Sequence, residues 1–221
     1  MTRTAIIVAG GTGSRMRSET PKQFLPLAGK PMLMHSLQAF LEADPGILLV
    51  VALADGLEET WKELCRLHHF HATHRVVPGG PTRFHSVQSA LGTLESEGFT
   101  AIHDAARPMV SPNLIRSLFA TAETFGNCVP VVPVTESVRR VTVAGSEVAD
   151  RSLLRLVQTP QVFRTADLKN AYRMPYDDAF TDDATVMERA GATIRLADGD
   201  PVNIKITRPA DLAFAQAILS A

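Results

Sequence analysis

Short apolar runs alternate with amphipathic stretches along most of the chain. Residues 4–9 and 47–53 are almost continuously apolar, which is typical of strands buried on both faces of a parallel sheet. Between them, residues 31–43 carry apolar side chains at helical spacing. The alternation continues with predicted helices at 56–68, 87–94 and from Pro112 with Ser111 as its cap, and with predicted strands at 76–77, 100–103 and 128–133.

The rhythm changes within residues 134–158. Four valines alternate there with charged or polar residues around a turn at 144–146, a pattern that predicts a β-hairpin: Val138, Val141, Val143 and Val148. A hairpin that protrudes from an α/β domain is commonly a lid or a dimer arm. After it, we expect Thr181 to open a helix with two acids in its first turn, 202–206 to form a last strand, and 210–219 to form a closing helix.

This order of elements predicts the fold class. Strands that alternate with helices favour an α/β, Rossmann-like, open and mostly parallel sheet with helices on both faces. The 221 residues suit one domain, 1–221, with 134–158 as a β-arm subregion.

Composition narrows the range of partners. The formal net charge is −1 and aromatic residues are 6%, so neither a basic field nor an aromatic platform favours nucleic acid. The longest apolar run, residues 47–54, is too short to span a bilayer, so we expect no membrane partner. Cys65 and Cys128 lie far apart in apolar segments, which favours reduced thiols and a cytoplasmic location.

A glycine-rich loop follows the first predicted strand. Gly10, Gly11 and Gly13 let backbone N–H groups approach phosphate oxygens, because no Cβ intervenes. Arg15 and Lys22 follow and can neutralise a triphosphate. The loop lacks the Gly-Lys-Ser/Thr ending of a P-loop and the third glycine of a dinucleotide fingerprint, so it predicts a different kind of nucleotide site.

A second pair of glycines, Gly79 and Gly80, lies where a strand feeds a helix. Backbone groups there, with the Ser86 hydroxyl, could contact a base edge at the ligand-binding edge of the sheet. The alternative is an ordinary βα turn with a solvated Arg83.

Charged residues also follow the predicted strand at 100–103. Asp104 should lie at the carboxyl edge of the sheet, where an acid can help to hold Mg²⁺ or a ribose hydroxyl, and Arg107 suits a phosphate. The alternative is a loop salt bridge between these two residues, which would contribute little stability. Lys205, within the predicted strand 202–206, has Ile204 and Ile206 on the opposite face.

Taken in order, these motifs resemble a known family. They are the run 9–31, Asp-Ala-Ala-Arg-Pro at 104–108, Thr-Pro-Gln at 159–161, Thr-Asp-Asp at 181–183 and Asn-Ile-Lys at 203–205. The chain resembles the 2-C-methyl-D-erythritol 4-phosphate cytidylyltransferases of the non-mevalonate isoprenoid pathway over essentially its whole length. Each motif alone is common, but the ordered set is specific.

The resemblance implies a role for each matching residue. The backbone of Ala9, Gly10, Gly11 and Gly13, with Arg15 and Lys22, would hold the CTP triphosphate; Gly80, Pro81 and Ser86 would contact cytosine; Asp104 and Ala105 would contact ribose. Arg107, Thr159, Thr181 and Lys205 would surround the acceptor phosphate and the α-phosphate. Ser137 and Arg151, on the arm, would reach the acceptor site of the neighbouring subunit in a homodimer. Arg15, Lys22, Lys205 and Arg151 would be the catalytic residues. The chain departs from the family at Pro81, where Asp is frequent, and at Ser137, where Thr is usual. In the glycine-rich loop, Gly10 replaces a common Ala and Ser14 a common Arg.

The implied reaction transfers CMP from CTP to 2-C-methyl-D-erythritol 4-phosphate with release of pyrophosphate. Mg²⁺ or another divalent cation would be held mainly by the CTP phosphates, with Asp104 as a possible ligand. Three alternatives stay open from sequence: a cytidylyltransferase for ribitol 5-phosphate or a related polyol phosphate, a sugar-phosphate nucleotidyltransferase, and a non-catalytic nucleotide-binding module. The retained set Arg15, Lys22, Asp104 and Lys205 argues against the last.

Overall fold

The computed structural model describes residues 1–10 and 20–220. Its strands are β1 (Arg3–Ala9), β2 (Pro26–Leu27), β3 (Lys30–Pro31), β4 (Leu48–Leu53), β5 (Arg75–Pro78), β6 (Phe99–Asp104), β7 (Asn127–Pro133), β8 (Val138–Thr142), β9 (Gly145–Ala149), β10 (Arg155–Val157), β11 (Gln161–Arg164) and β12 (Leu196–Asp198). Its α-helices are α1 (Met32–Ala43), α2 (Glu58–Leu67), α3 (Arg83–Leu91), α4 (Pro112–Phe125), α5 (Thr165–Ala171), α6 (Asp183–Arg189) and α7 (Pro209–Leu219). Short 3-10 helices cover Lys22–Phe24 and Arg151–Leu153.

The main sheet has the order β10-β7-β11-β6-β1-β4-β5, and β12 pairs with β7. β1 lies at its centre, with Ile6 opposite Val50 on one side and Ile102 on the other, and both pairings are parallel. β10 and β11 are antiparallel to their neighbours. The mostly parallel sheet is therefore confirmed. β10, β11 and β12 escape sequence prediction because each is only three or four residues long and shows no period.

Helices cover both faces of this sheet, as predicted, because strand residues alternate between two cores. Ile7 and Val51 face a core closed by α1, α2 and α4, where Phe40, Trp61 and Phe119 are buried. Ile6, Val50 and Ile102 face the opposite core, which is closed by α3, α5 and α6. A smaller cluster joins α7 to the β2–β3 turn: Leu27, Met32, Met109, Ile206 and Ala215.

The predicted hairpin is confirmed as β8 and β9, which form a separate two-stranded sheet. Val138 lies opposite Ala149 and Thr142 lies opposite Gly145. Gly145 has φ 137°, a backbone region that glycine adopts without strain. Farther along, β10 returns to the main sheet beside β7, so residues 155–157 of the 134–158 region belong to the sheet.

Two expectations about local structure are wrong. Residues 202–206 are irregular and not a strand: Asn203 N–H donates to Asp200 O within a turn, and Ile206 N–H donates to Ala106 O, so the segment crosses the end of the sheet without joining it. The helix predicted from Thr181 begins instead at Asp183. Asp182 is its N-cap, with Oδ1 accepting from Thr185 N–H at 2.9 Å, since aspartate caps a helix more strongly than threonine. No α-helix within residues 1–10 and 20–220 is long and apolar enough to cross a membrane.

Candidate active site

A pocket of about 240 Å³ opens beside the carboxyl end of β6. It brings together five of the residues predicted from sequence: Asp104, Arg107, Thr159, Thr181 and Lys205. It also includes residues to which the sequence pattern assigns no role in the site: Arg83, Val157, Gln158, Gln161 and Asp182. The carboxyl edge of parallel strands is where α/β sheets commonly bind ligands, so the pocket lies where the fold predicts.

Asp104, the last residue of β6, is the anionic centre of this pocket. Its Oδ1 accepts from Arg83 Nε at 3.0 Å, and its Oδ2 pairs with Lys205 Nζ at 2.7 Å. Burial raises the pKa of Asp104, but the charges of Arg83 and Lys205 outweigh it and hold the pKa well below the usual range for a carboxyl. Asp104 is therefore ionised near neutral pH.

Arg83 bridges two elements that are far apart in the chain. Besides Asp104, it contacts Asp183 with two nitrogens, at 2.9 and 2.7 Å, and Asp183 also accepts from the Tyr172 hydroxyl at 2.6 Å. Burial lowers the pKa of Arg83, but the two carboxylates raise it well above the ordinary value. The interpretation of Arg83 as a solvated side chain is therefore wrong. Its position in the first turn of the helix after Gly79 and Gly80, at the ligand edge, was the available signal.

Arg107 does not form the loop salt bridge with Asp104 that was considered as an alternative. Its guanidinium donates instead to the carbonyls of Asn203 at 2.7 Å and Val157 at 3.2 Å. Burial lowers its pKa from the ordinary arginine value. These carbonyls hold the guanidinium beside the pocket. Because carbonyls carry no net charge, they do not neutralise the positive charge of Arg107, which can therefore attract an anion.

Lys22 opens the 3-10 helix that follows the glycine-rich loop. Its Nζ donates to Ile206 O at 2.8 Å, one residue beyond Lys205. Phe24, at the other end of this short helix, stacks on Trp61 of α2 with ring centroids 5.8 Å apart. The two predicted catalytic lysines are thus joined through the same irregular segment. Gly11, Gly13 and Arg15 lie outside the described residues.

Gly10 and the predicted base-contacting loop lie against each other. A Cβ on Gly10 would come within 2.9 Å of Ser86 Oγ, and one on Gly80 within 2.3 Å of the His85 side chain. Ser86 Oγ, which is buried, accepts from Gly80 N–H and donates to Thr82 O, both at 3.0 Å. Packing therefore demands glycine at position 80, where a Cβ would also lie 2.9 Å from the His85 carbonyl carbon, whereas at position 10 a Cβ would press on the Ser86 hydroxyl.

The remaining predicted residues are either buried at strand ends or exposed. Ala9 and Ala105 are buried at the ends of β1 and β6, and Ala105 N–H donates to Val8 O. Pro81 is exposed beside Gly80. Ser137 and Arg151 are exposed at the arm and do not line the pocket of their own chain. Arg151 donates to the carbonyl of Thr135.

The described residues, 1–10 and 20–220, contain no group of three or more His, Cys, Asp or Glu side chains placed to hold a metal. In the pocket, Asp182 is engaged as the cap of α6 and by Gln161 Nε2 at 2.7 Å. Asp104 is therefore the carboxylate best placed to add a ligand to a cation, after exchanging Lys205. This donor set suits a cation that arrives with phosphates and does not suit a cage built by protein alone.

Cations gathered around one carboxylate, at the sheet edge where nucleotides bind, suit the transfer of a nucleotidyl group between phosphates. The fold and this pocket define a nucleotidyltransferase. A family model described as 2-C-methyl-D-erythritol 4-phosphate cytidylyltransferase matches residues 3–221, and the chain belongs to that family.

Named relatives agree with this assignment. The chain is 46% identical to the enzyme of that name from Bacteroides thetaiotaomicron, over 99% of this chain and 100% of the relative. It is also 46% identical to the Bacteroides fragilis enzyme, over 99% of this chain and 100% of the relative. Among solved structures, the enzyme from Thermus thermophilus is similar with a TM-score of 0.82 and 30% identity, covering 100% of both chains.

Proposed function

We propose that this chain transfers CMP from CTP to 2-C-methyl-D-erythritol 4-phosphate and releases pyrophosphate. The observation that supports this most strongly is the cationic pocket around Asp104, found in a chain that belongs to the cytidylyltransferase family along its whole length. Arg83, Arg107 and Lys205 bring positive charge to one small volume, as two anionic reactants require.

The reaction is an in-line displacement at phosphorus. An oxygen of the acceptor phosphate forms a bond to the α-phosphorus of CTP, and the bond from that phosphorus to the bridging oxygen of the β-phosphate breaks. The electron pair leaves with pyrophosphate. The attacking phosphate is already ionised near neutral pH, so no general base is needed, and the main task is to offset repulsion between anions.

The cations divide this task by position. Arg107 is fixed by carbonyls and is free to bind the acceptor phosphate, with Thr159 and Thr181 beside it. Lys205 rests on Asp104, and we propose that it exchanges this carboxylate for the α-phosphate when CTP enters. Arg83 stays on Asp104 and keeps that carboxylate ionised and oriented for the ribose side. Lys22 and Arg15 hold the triphosphate.

Mg²⁺ or a similar divalent cation would be held by the triphosphate oxygens, with Asp104 as the described carboxylate that fits as a further ligand. When bound, it would supply positive charge to the phosphates.

The arm is proposed to pair two chains into a homodimer. Several apolar side chains at the arm are exposed, including Val141 at 84% and Leu153 at 81%, and burial against a second copy would remove them from water. In such a dimer, Ser137 and Arg151 of one chain would reach the acceptor pocket of the other. Sedimentation of Val141→Asp and Leu153→Asp should shift the mass towards the monomer, whereas a wild-type protein that sediments as a monomer would contradict the pairing.

A cytoplasmic location is proposed from the state of the cysteines. Cys65 and Cys128 are free thiols, and burial raises the pKa of each to about 11, so both are protonated near neutral pH. To test this, the protein is extracted from cells and unfolded in the presence of a maleimide that traps free thiols. Labelling of both cysteines would support this location, and a disulfide-linked product would contradict it.

The direct test of the reaction measures pyrophosphate release from CTP and Mg²⁺ with two acceptors in parallel. We expect turnover with 2-C-methyl-D-erythritol 4-phosphate and little with ribitol 5-phosphate. Turnover with ribitol 5-phosphate alone would keep the chemistry and overturn the acceptor. Binding of CTP without turnover on either acceptor would favour a nucleotide-binding module.

A further inference from the structure

His103 is buried next to the pocket but does not line it. It is the residue before Asp104 in β6, and its side chain is fully buried. The ring of Phe40 packs edge-on against the imidazole, with the two ring centroids 5.4 Å apart. Both ring nitrogens have polar partners: Nε2 lies 3.1 Å from Arg107 O, and Nδ1 lies 3.1 Å from Thr159 Oγ1.

These partners determine where the imidazole proton lies. A carbonyl oxygen can only accept, so Nε2 must carry the hydrogen that is donated to Arg107 O. The ring is fully buried and its two partners are a carbonyl and a hydroxyl, so it is held as the neutral tautomer in which Nδ1 is the acceptor. The Thr159 hydroxyl therefore donates to Nδ1. Its oxygen in turn accepts from Asp104 N–H at 3.0 Å.

The result is a closed set of hydrogen bonds around one imidazole. It joins the loop that carries Asp104 and Arg107 to Thr159, which comes from a different part of the chain. Asn203 completes the ring, because its Nδ2 donates to Thr159 O at 2.9 Å and its carbonyl accepts from Arg107. The orientation of the Thr159 hydroxyl and the position of the Arg107 backbone thus depend on the same side chain.

We propose that His103 is a positioning residue for cytidylyl transfer, which sets the Thr159 hydroxyl through Nδ1 and the Arg107 loop through Nε2–H without touching either substrate. The inference rests on the proposed function, which places the acceptor phosphate beside Arg107 and the Thr159 segment; the hydrogen of the Thr159 hydroxyl is itself used by Nδ1. The alternative is a histidine that only satisfies buried polar groups and stabilises the fold.

Two amide substitutions separate the two hydrogen bonds. The amide nitrogen of glutamine can reach the position of Nε2, so His103→Gln can keep the donation to Arg107 O while it loses the acceptor for Thr159. The shorter asparagine can place an oxygen near Nδ1, so His103→Asn can keep the Thr159 bond and lose the Arg107 bond. Thr159→Val removes the hydroxyl in either background.

The matched control lies at the other end of the same strand. Thr100 Oγ1 and Thr165 Oγ1 form a buried hydrogen bond of 2.9 Å that is remote from the pocket. Thr100→Val should lower stability as the loss of a buried polar contact does, without moving any acceptor-site residue.

The experiment measures kcat, KM for each substrate and the thermal midpoint for the full-length enzyme with CTP, Mg²⁺ and 2-C-methyl-D-erythritol 4-phosphate. We expect each His103 variant to raise KM for the acceptor about tenfold, as loss of one positioned hydrogen bond would, while KM for CTP stays within about twofold. His103→Gln should add little to Thr159→Val, since the valine variant already lacks the hydroxyl that the glutamine variant releases, whereas His103→Asn should add fully to Thr159→Val.

Acceptor KM values no more altered than in Thr100→Val, at an equal loss of stability, would overturn the positioning role. Full additivity of Thr159→Val with His103→Gln would overturn it as well. Failure of the whole enzyme to use this acceptor would appear in the wild type and would count against the proposed function instead. If His103→Asn does not fold, the double-mutant cycle of His103→Gln with Thr159→Val still tests the proposal.

Discussion

The pocket and the arm both carry ion pairs, but in different surroundings. In the pocket, Arg83 contacts a fully buried Asp183 and the nearly buried Asp104. On the arm, Arg140 and Glu147 are 3.0 Å apart with side chains 73% and 55% exposed. Water and salt screen the second pair. The first pair is removed from solvent, so loss of one partner would leave a buried charge unpaired and would destabilise the fold strongly. Similar distances therefore have very different consequences.

The contrast also separates what one chain completes from what it leaves open. The pocket charges are paired or held by carbonyls within the chain. The arm presents apolar side chains and Arg151 to solvent, away from the pocket of the same chain. This difference is what a site shared between two subunits would require.

The largest effect is expected at the phosphate-binding cations. Lys22→Ala and, separately, Arg15→Ala should lower kcat by about two to three orders of magnitude, the range for removal of one preorganised group that stabilises transition-state charge. Pyrophosphate release under saturating CTP measures it. Lys62→Ala, which removes an exposed lysine paired with Glu59, serves as the control and should keep normal turnover. Near-normal turnover in the Lys22 variant would remove that residue from the mechanism.

The next effect concerns stability. Asp183→Asn should lower the free energy of unfolding by about 3–5 kcal/mol, because it leaves the Arg83 guanidinium and the Tyr172 hydroxyl with a poorer partner in a buried place. Urea denaturation followed by circular dichroism measures the change. A loss below about 1 kcal/mol would show that the pocket behaves like the exposed arm.

The pH dependence of stability should follow His103. An unfolded chain protonates this histidine near pH 6.5, but the folded chain does so only near pH 4, because burial lowers its pKa. The unfolded state thus binds more protons between these values, and the free energy of unfolding should fall by about 3 kcal/mol as pH drops from about 6.5 to about 4. Burial also lowers the pKa of His35, so this histidine too should make the free energy of unfolding fall as the pH drops.

Comparison of urea midpoints for wild type and His103→Gln across this window isolates the His103 share. The variant should show the smaller decline. Asp104 does not interfere, because its depressed pKa means that its contribution is lost only below about pH 4. Parallel curves for the two proteins would contradict a neutral, buried His103.

The smallest effect belongs to the arm ion pair. Glu147→Gln should change the free energy of unfolding by less than about 0.5 kcal/mol, since the pair is exposed and screened. Urea denaturation of this variant beside Asp183→Asn gives the comparison directly. An equal loss in both would break the distinction between the two regions.

The sequence predicted the sheet, its helices and the hairpin because the apolar residues of these elements repeat over enough positions to show a strand or helix period. It also placed Asp104, Arg107 and Lys205 near one sheet edge, since strand ends follow from the pattern. The position of Arg83 at the ligand edge was visible in the sequence, but its pairing with Asp104 and Asp183 was not, because these partners are distant in the chain.

The error at residues 202–206 has a similar origin. Alternation of Ile204, Lys205 and Ile206 fits a strand, but among residues 1–10 and 20–220 the segment pairs with no strand. It is held instead by the side chain of Asn203 and by Ile206, which packs in a cluster with Leu27 and Met32. Buried hydrogen bonds such as those of His103 are likewise tertiary facts. Pattern and propensity carry no information about them.

Mixed dimers test the shared site most directly. Arg151→Ala and Lys205→Ala chains, each inactive alone, are unfolded together, refolded and assayed for pyrophosphate release. If Arg151 serves the other subunit, each mixed dimer carries one site with both changes and one intact site, so activity should return to about a quarter of wild type. Activity that stays at the level of the separate variants, with mixed dimers shown to form, would place Arg151 in its own chain's site or outside catalysis.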